Sequence, residues 1–301
     1  MSQPIDILLT GGDGQVGTEL RRLAPSHWRF SAPDENQLNF TDPTGVAAAV
    51  ASKPWAAVIN AAAYTAVDKA ETDVAIAWQV NALGPAVLAA STAEAGIPLV
   101  HISTDYVFSG DKAGYYAEGD PVAPLGVYGA SKEGGEQAVR TANPRHAIVR
   151  TAWLVSPHGG NFIKTMLRLG VERPALRVVD DQRGCPTSAS DLAAALIVVA
   201  ERLINDPGAP TGDYHFVNAG EASWCEFARA IFEVAEARGR AAPSVEAIST
   251  ADYPTPARRP ANSRLSTDKI RRDFGVEPRP WRVAMEEIVE RLLAPAEGQR
   301  S

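Results

Sequence analysis

Cysteine is nearly absent: Cys185 and Cys225 are the only two in 301 residues. They stand singly, without the paired spacing of a zinc site or a disulfide framework, and read as buried thiols. Basic charge is also in deficit, with 29 Lys and Arg against 36 Asp and Glu and a net charge of -7. That balance excludes a broad nucleic-acid or anionic-membrane surface and leaves only a local pocket for a phosphate-bearing small molecule. The longest apolar run, Leu192 to Ala200, is far too short to cross a bilayer. The opening MSQPIDILLTGG lacks the basic region, apolar core and cleavage site of a leader. No internal repeat or low-complexity block is found, and residues 294–301 read as a frayed tail. A cytoplasmic protein with neither a membrane nor a nucleic-acid partner is the expectation.

What the chain does contain is ordinary globular material, 45% apolar and 22% charged. Strand and helix patterns alternate through residue 151, which specifies a doubly wound parallel sheet. The first strand, Ile5 to Leu9, runs straight into Thr10-Gly11-Gly12-Asp13-Gly14-Gln15-Val16-Gly17 and then a helix-compatible stretch. Glycines at 11, 14 and 17 let the backbone turn tightly and approach a pyrophosphate seated over the helix N-terminus. After a second strand at Trp28–Ser31, the segment Phe30 to Glu35 offers neither a clear ribose-binding acid nor a phosphate-binding Arg, so NAD and NADP are not distinguished. Asn39 and Phe40 suit an adenine edge, while Thr41 or Asp42 equally suits a helix cap. The small residues Ala61 to Ala63 fit either a cofactor or tight packing. Asn81 lies in a helix expected from about Ala75 to Ala95 and suits a bond to neighbouring backbone.

Leu99 to Phe108 reads as a buried parallel strand ending in hydroxyls and a carboxylate, and ligands bind at the carboxyl ends of such strands. Thr104 can hold a substrate oxygen there, or simply satisfy a loop; His101 reads as packing. Tyr128 and Lys132 stand four residues apart at the start of a helix, on one face. A neighbouring ammonium lowers a phenol pKa of about 10, which would let Tyr128 exchange a proton with that oxygen. Alone, the pair is more often a solvated helix face; the glycine loop and Thr104 upstream give it meaning. Beyond residue 151 the period changes. Residues 1–151 are read as the dinucleotide-binding domain, rejoined by parts of 175–217, and 152–301 mainly as a smaller lobe. Its densest cations, Arg258, Arg259 and Arg264, fit a solvated loop or a diphosphate.

With these motifs in order, the chain resembles the extended short-chain dehydrogenase/reductases, and within them the dTDP-4-dehydrorhamnose reductase family. The resemblance is nearly end to end. It rests on NAAAYTAVDKAE (Asn60–Glu71), STDYVF (Ser103–Phe108), NFIKTMLRL (Asn161–Leu169), Asp181-Gln182 with Pro186-Thr187, Ser223-Trp224 and YPTPARRPANSRL (Tyr253–Leu265). It implies a Rossmann-type doubly wound parallel sheet with a smaller C-terminal α/β substrate-binding lobe. It also implies that NADPH or NADH reduces the C4 ketone of dTDP-4-dehydro-6-deoxy-L-mannose to dTDP-L-rhamnose.

On that resemblance Tyr128 would donate the proton, Lys132 would hold the nicotinamide ribose and lower the phenol pKa, and Thr104 would bond the reacting oxygen or the phenol. The cofactor would lie along Gly11, Gly14, Gln15 and Val16, with Asn39 and Phe40 near adenine and Ala63, Tyr64, Thr65 and Ile102 along the nicotinamide half. Asp105 and Trp153 would contact the sugar nucleotide, and Asn161 its diphosphate. The chain departs from the usual pattern at Asn39, Gly126 and Val155, where Asp, Asn and Tyr are common. Some relatives dimerise through acidic residues around a magnesium ion; Glu19 fits that picture, but Ser190 stands where an acid would help, which leaves both homodimer and metal open. Two competing readings remain: a non-catalytic NADP-binding regulatory subunit, and a nucleotide-sugar epimerase or dehydratase. The first does not need the Thr104, Tyr128 and Lys132 set, and the second is not expected to carry the C-terminal segments.

Overall fold

The computed structural model describes residues 4–294, so the expected fray past Ala294 lies outside the described residues. Strand β1 (Ile5–Thr10) buries Ile7 and Leu9 on one face and Leu8 on the other, as a strand covered on both sides must. Helix α1 (Gln15–Leu23), β2 (Trp28–Ser31), α2 (Pro43–Ala51) and β3 (Ala57–Asn60) complete the first half of the domain. The second half runs α3 (Val67–Ala70), α4 (Val74–Trp78), α5 (Gly84–Glu94), β4 (Leu99–Thr104), α6 (Val127–Ala142) and β5 (His146–Thr151).

Two local outcomes differ from the sequence pattern. The single helix expected near Ala75–Ala95 is interrupted by a π-helical turn at Gln79–Leu83, which carries the buried Asn81. There Asn81 holds the Tyr64 backbone at both N–H and carbonyl, 2.8 and 3.1 Å, and donates to Ser131 Oγ at 3.0 Å. The strand expected to reach Phe108 stops at Thr104, whose hydroxyl accepts from the Tyr106 N–H and caps a 3-10 turn at Asp105–Val107.

Beyond β5, the short β6 (Leu154–Val155), α7 (Phe162–Glu172), β7 (Ala175–Val179), β8 (Arg183–Gly184) and β9 (Thr187–Ser188) leave the main sheet. Helix α8 (Ala189–Asn205) and β10 (Gly212–His215) return to it, so the part of 175–217 that rejoins is the part after β9. The sheet order is β10-β5-β4-β3-β1-β2, every pair parallel. The order reverses between β1 and β3, where a doubly wound sheet opens its ligand crevice. One face is covered by α1 and α8 through Leu20, Leu192 and Leu196, the other by α2, α5 and α6 through Val46, Leu88 and Val139. The stretch Val74–Glu94 is long and apolar enough to cross a membrane by composition; in the fold it is part-buried, with Ala77, Leu88 and Ala89 in the interior and Val74, Ile76, Trp78 and Leu83 exposed.

The smaller lobe adds β11 (Ala222–Ser223), α9 (Trp224–Ala237), β12 (Ser244–Ile248), β13 (Asn262–Ser263) and α11 (Trp281–Leu293), while α10 (Asp268–Phe274) docks on β10. Ile163, Phe227, Ile231, Trp281 and Met285 form its core. Helix α6 is fixed to β5 by a buried ion pair. Glu136 receives two bonds from Arg150, at 2.6 and 2.9 Å, and Arg140 joins it at 3.0 Å. Bidentate geometry and the second cation compensate a carboxylate with no solvent exposure.

Candidate active site

Helix α1 begins at Gly14 without a side-chain cap. Its first-turn N–H groups therefore face a cleft of about 1300 Å³ as donors for an anion. The glycine loop lies flush against β3 and its own helix. Gly11 sits at φ +69°, and a Cβ at Gly17 would fall 2.2 Å from the Gly11 carbonyl oxygen. Gly11, Gly14, Gln15 and Val16 line the cleft, as do Asn39 and Phe40 and Ala63, Tyr64, Thr65 and Ile102. Asn39 spends its side-chain oxygen on its own turn, accepting from the Thr41 N–H and hydroxyl at 2.8 Å each. Of the two cap candidates, Asp42 rather than Thr41 caps α2.

The same cleft is lined by Thr104, Asp105, Tyr106, Tyr128, Lys132 and Trp153. The Thr104 hydroxyl donates to Asp105 Oδ1 at 3.0 Å and also lies close enough to the Tyr128 phenol to favour its ionised form. Burial outweighs that influence. Desolvation raises the Tyr128 pKa above its ordinary value, and Asp105 and Tyr106 push the same way. The lowering expected from Lys132 is therefore not what governs this phenol. The lysine Nζ instead donates to the Ile102 carbonyl at 2.7 Å, and burial brings its own pKa down to about 8, against the pull of Glu136. Asp105 is pushed up to about 6 by burial, although Ser263 and Thr104 favour its ionised form, and its Oδ2 has no partner. Tyr106, which sequence reasoning passed over although it sits two residues beyond Thr104, meets the Tyr128 ring edge-on at 5.4 Å.

The lobe contributes unevenly. Trp153 reaches the cleft with a left-handed backbone, φ 49°, the one non-glycine in that region among the described residues. Its indole stacks on Trp224 at 3.5 Å, and a Cβ at Gly184 would meet the ring at 2.4 Å. Asn161, expected at a diphosphate, does not line the cleft. Its oxygen caps α7 through the Lys164 N–H at 3.2 Å, and its amide donates to Ser156 O at 2.7 Å and Gln15 Oε1 at 3.0 Å. A carboxamide so occupied ties the lobe to the glycine loop. Arg259 donates to Asp68 and to the Tyr106 hydroxyl, and Arg264 pairs with Glu221.

A family model described as the RmlD substrate binding domain matches residues 5–294. The chain belongs to this family. The dTDP-4-dehydrorhamnose reductase of Aggregatibacter actinomycetemcomitans is 43% identical over 94% of this chain and 97% of its own length. A probable dTDP-4,6-dihydroxy-2-methyloxan-3-one 4-ketoreductase of Streptomyces antibioticus is also 43% identical, over 95% of each. Among solved structures, the dTDP-4-dehydrorhamnose reductase of Bacillus anthracis in complex with NADP matches with a TM-score of 0.88 and 36% identity, covering 95% of this chain and 99% of that one.

Glu19, the acid that fits the magnesium picture, is held by ion pairs within this RmlD-family chain. Glu19, 1% exposed, already receives Arg22 at 2.6 Å, with His158 at 3.1 Å and Arg291 at 3.7 Å. Arg22 also donates to Ser190 at 3.0 Å. Arg22 and Arg291 flank the carboxylate, and no cluster of three or more metal-ligating side chains is present among the described residues.

Proposed function

We propose that this chain reduces the C4 ketone of dTDP-4-dehydro-6-deoxy-L-mannose with NADPH or NADH, giving dTDP-L-rhamnose. The observation that carries the reading is the convergence of Thr104, Tyr128 and Lys132 on a cleft that the uncapped glycine-loop helix also lines. Such a helix start suits a dinucleotide diphosphate. When bound, the reduced nicotinamide supplies the hydride that C4 accepts. Tyr128 transfers its phenolic proton to the C4 oxygen, so ketone, hydride and proton together make the secondary alcohol, and the phenolate regains its proton from solvent. An alkoxide is far more basic than a phenolate, so the transfer runs downhill even from a phenol whose acidity burial has weakened. Raising that pKa also keeps Tyr128 in the protonated form the reduction consumes. Thr104 offers a second hydroxyl to the same oxygen, and the Lys132 ammonium holds the ribose and steadies the phenolate once it forms. We place this activity in the cytoplasm.

Purified protein should oxidise NADPH or NADH when given the 4-keto sugar nucleotide, and Tyr128→Phe should remove most of that rate while still binding cofactor. Absence of turnover in the wild type would overturn the assignment. The second reading, reduction of the ketone named for the Streptomyces antibioticus relative, rests on the equal identity of that enzyme. Comparing kcat/KM for the two dTDP sugars decides between them.

A further inference from the structure

We propose that Glu71 is a positioning residue for the Tyr128 phenol, acting through the start of α6; the inference rests on the reductase reading above. Tyr128 is the second residue of α6, so whatever holds the first turn of that helix aims the phenol. The N-cap is Gly126, extended at φ -154°, and it offers no side chain to the first-turn N–H groups. The Val127 N–H donates instead to Glu71 Oε1 at 2.9 Å, from 56 residues away in sequence. A carboxylate there accepts a charge-assisted bond and sits favourably at the positive end of the helix dipole. Gly126 is what admits it, because a Cβ at that position would stand 2.4 Å from Glu71 Oε1.

Glu71 follows directly on α3, and α3 reaches the same phenol by a second route. Asp68 accepts from the Ala257 N–H at 3.1 Å and from Arg259 Nη2 at 2.7 Å. Arg259 Nη1 donates to the Tyr106 hydroxyl at 3.2 Å, and the Tyr106 ring lies edge-on to Tyr128. One short segment thus braces the catalytic tyrosine from its backbone and from its ring face. Glu71 is not among the residues lining the cleft, so its effect passes through α6 rather than through contact with substrate.

The test uses the full chain with dTDP-4-dehydrorhamnose and reduced cofactor. In Glu71→Ala, kcat should fall about tenfold, since a misplacement of about 1 Å is worth on the order of 10²-fold. KM for both substrates should stay within about twofold, and the pH profile of kcat should move, because the phenol shifts against Thr104 and Asp105. Glu71→Gln keeps an oxygen acceptor for the Val127 N–H and should retain kcat within about threefold. The double variant Glu71→Ala/Gly126→Asn supplies a cap from the helix itself and should recover most of the lost rate. An active wild type whose Glu71→Ala form keeps kcat and its pH profile overturns this proposal alone. So does a loss that is equally deep in Glu71→Gln and is not restored by the Asn cap. An inert wild type overturns the reductase reading and this proposal with it.

Discussion

Burial sets the ionisable groups at the reacting end of the cleft, and each carries its own pH signature. Asp105 has its carboxyl raised to about 6, so between about pH 4 and 6 the folded protein holds a proton that the unfolded chain releases. Stability should therefore fall as pH rises through that window, by up to about 3 kcal/mol for a shift of about two units. Urea unfolding at pH 4.5 and 7 checks this: Asp105→Asn should flatten the difference, and equal pH slopes in both proteins would refute it. Lys132 moves the other way, down to about 8. In the proposed reduction its charged form holds the ribose and steadies the phenolate, so kcat/KM should decline as pH passes about 8. Lys132→Arg stays charged and should lose that limb, whatever its absolute rate. A wild-type limb near the ordinary lysine value would show that burial does not lower this pKa, and a falling limb retained in Lys132→Arg would show that the ammonium is not its source.

The glycine loop and α6 are the elements on which the site depends. Placing a methyl at Gly17 sets it against the Gly11 carbonyl, a backbone group that cannot swing aside. Gly17→Ala should lower stability by about 1–3 kcal/mol and weaken cofactor binding, measured by thermal unfolding and calorimetry. This loop was legible in the sequence because its demands are local: a tight turn, a close approach and a helix start are written in consecutive residues. The Tyr128/Lys132 pair was legible for the same reason, helical spacing being fixed within one turn. What escaped was built from distant contacts. The π turn at Asn81 forms to reach Tyr64 and Ser131, Asn161 turns away to cap α7 and reach Gln15, and Glu71 finds a helix 56 residues downstream. Nor does spacing tell where an ammonium points, and Lys132 points at the Ile102 carbonyl.

At the scale of the whole molecule, the parallel sheet and the lobe meet over the cleft, and the Glu136–Arg150 pair keeps α6 seated on β5 beneath it. Breaking that pair leaves the buried Glu136 carboxylate with Arg140 as its remaining cation. Arg150→Met should cost about 3 kcal/mol, the low end for a broken buried pair because Arg140 remains, whereas removing both charges in Glu136→Gln/Arg150→Met should recover much of the loss. Calorimetric unfolding of the two variants provides the comparison, and equal losses would remove the pair from the account of how α6 is held. The central claim concerns the carbon that is reduced. The most direct measurement follows deuterium from the nicotinamide C4 of labelled NADPH, or NADH, into dTDP-4-dehydrorhamnose, with the product identified by NMR. The account predicts dTDP-L-rhamnose carrying deuterium at sugar C4. Unlabelled product, or label at another carbon, would contradict it.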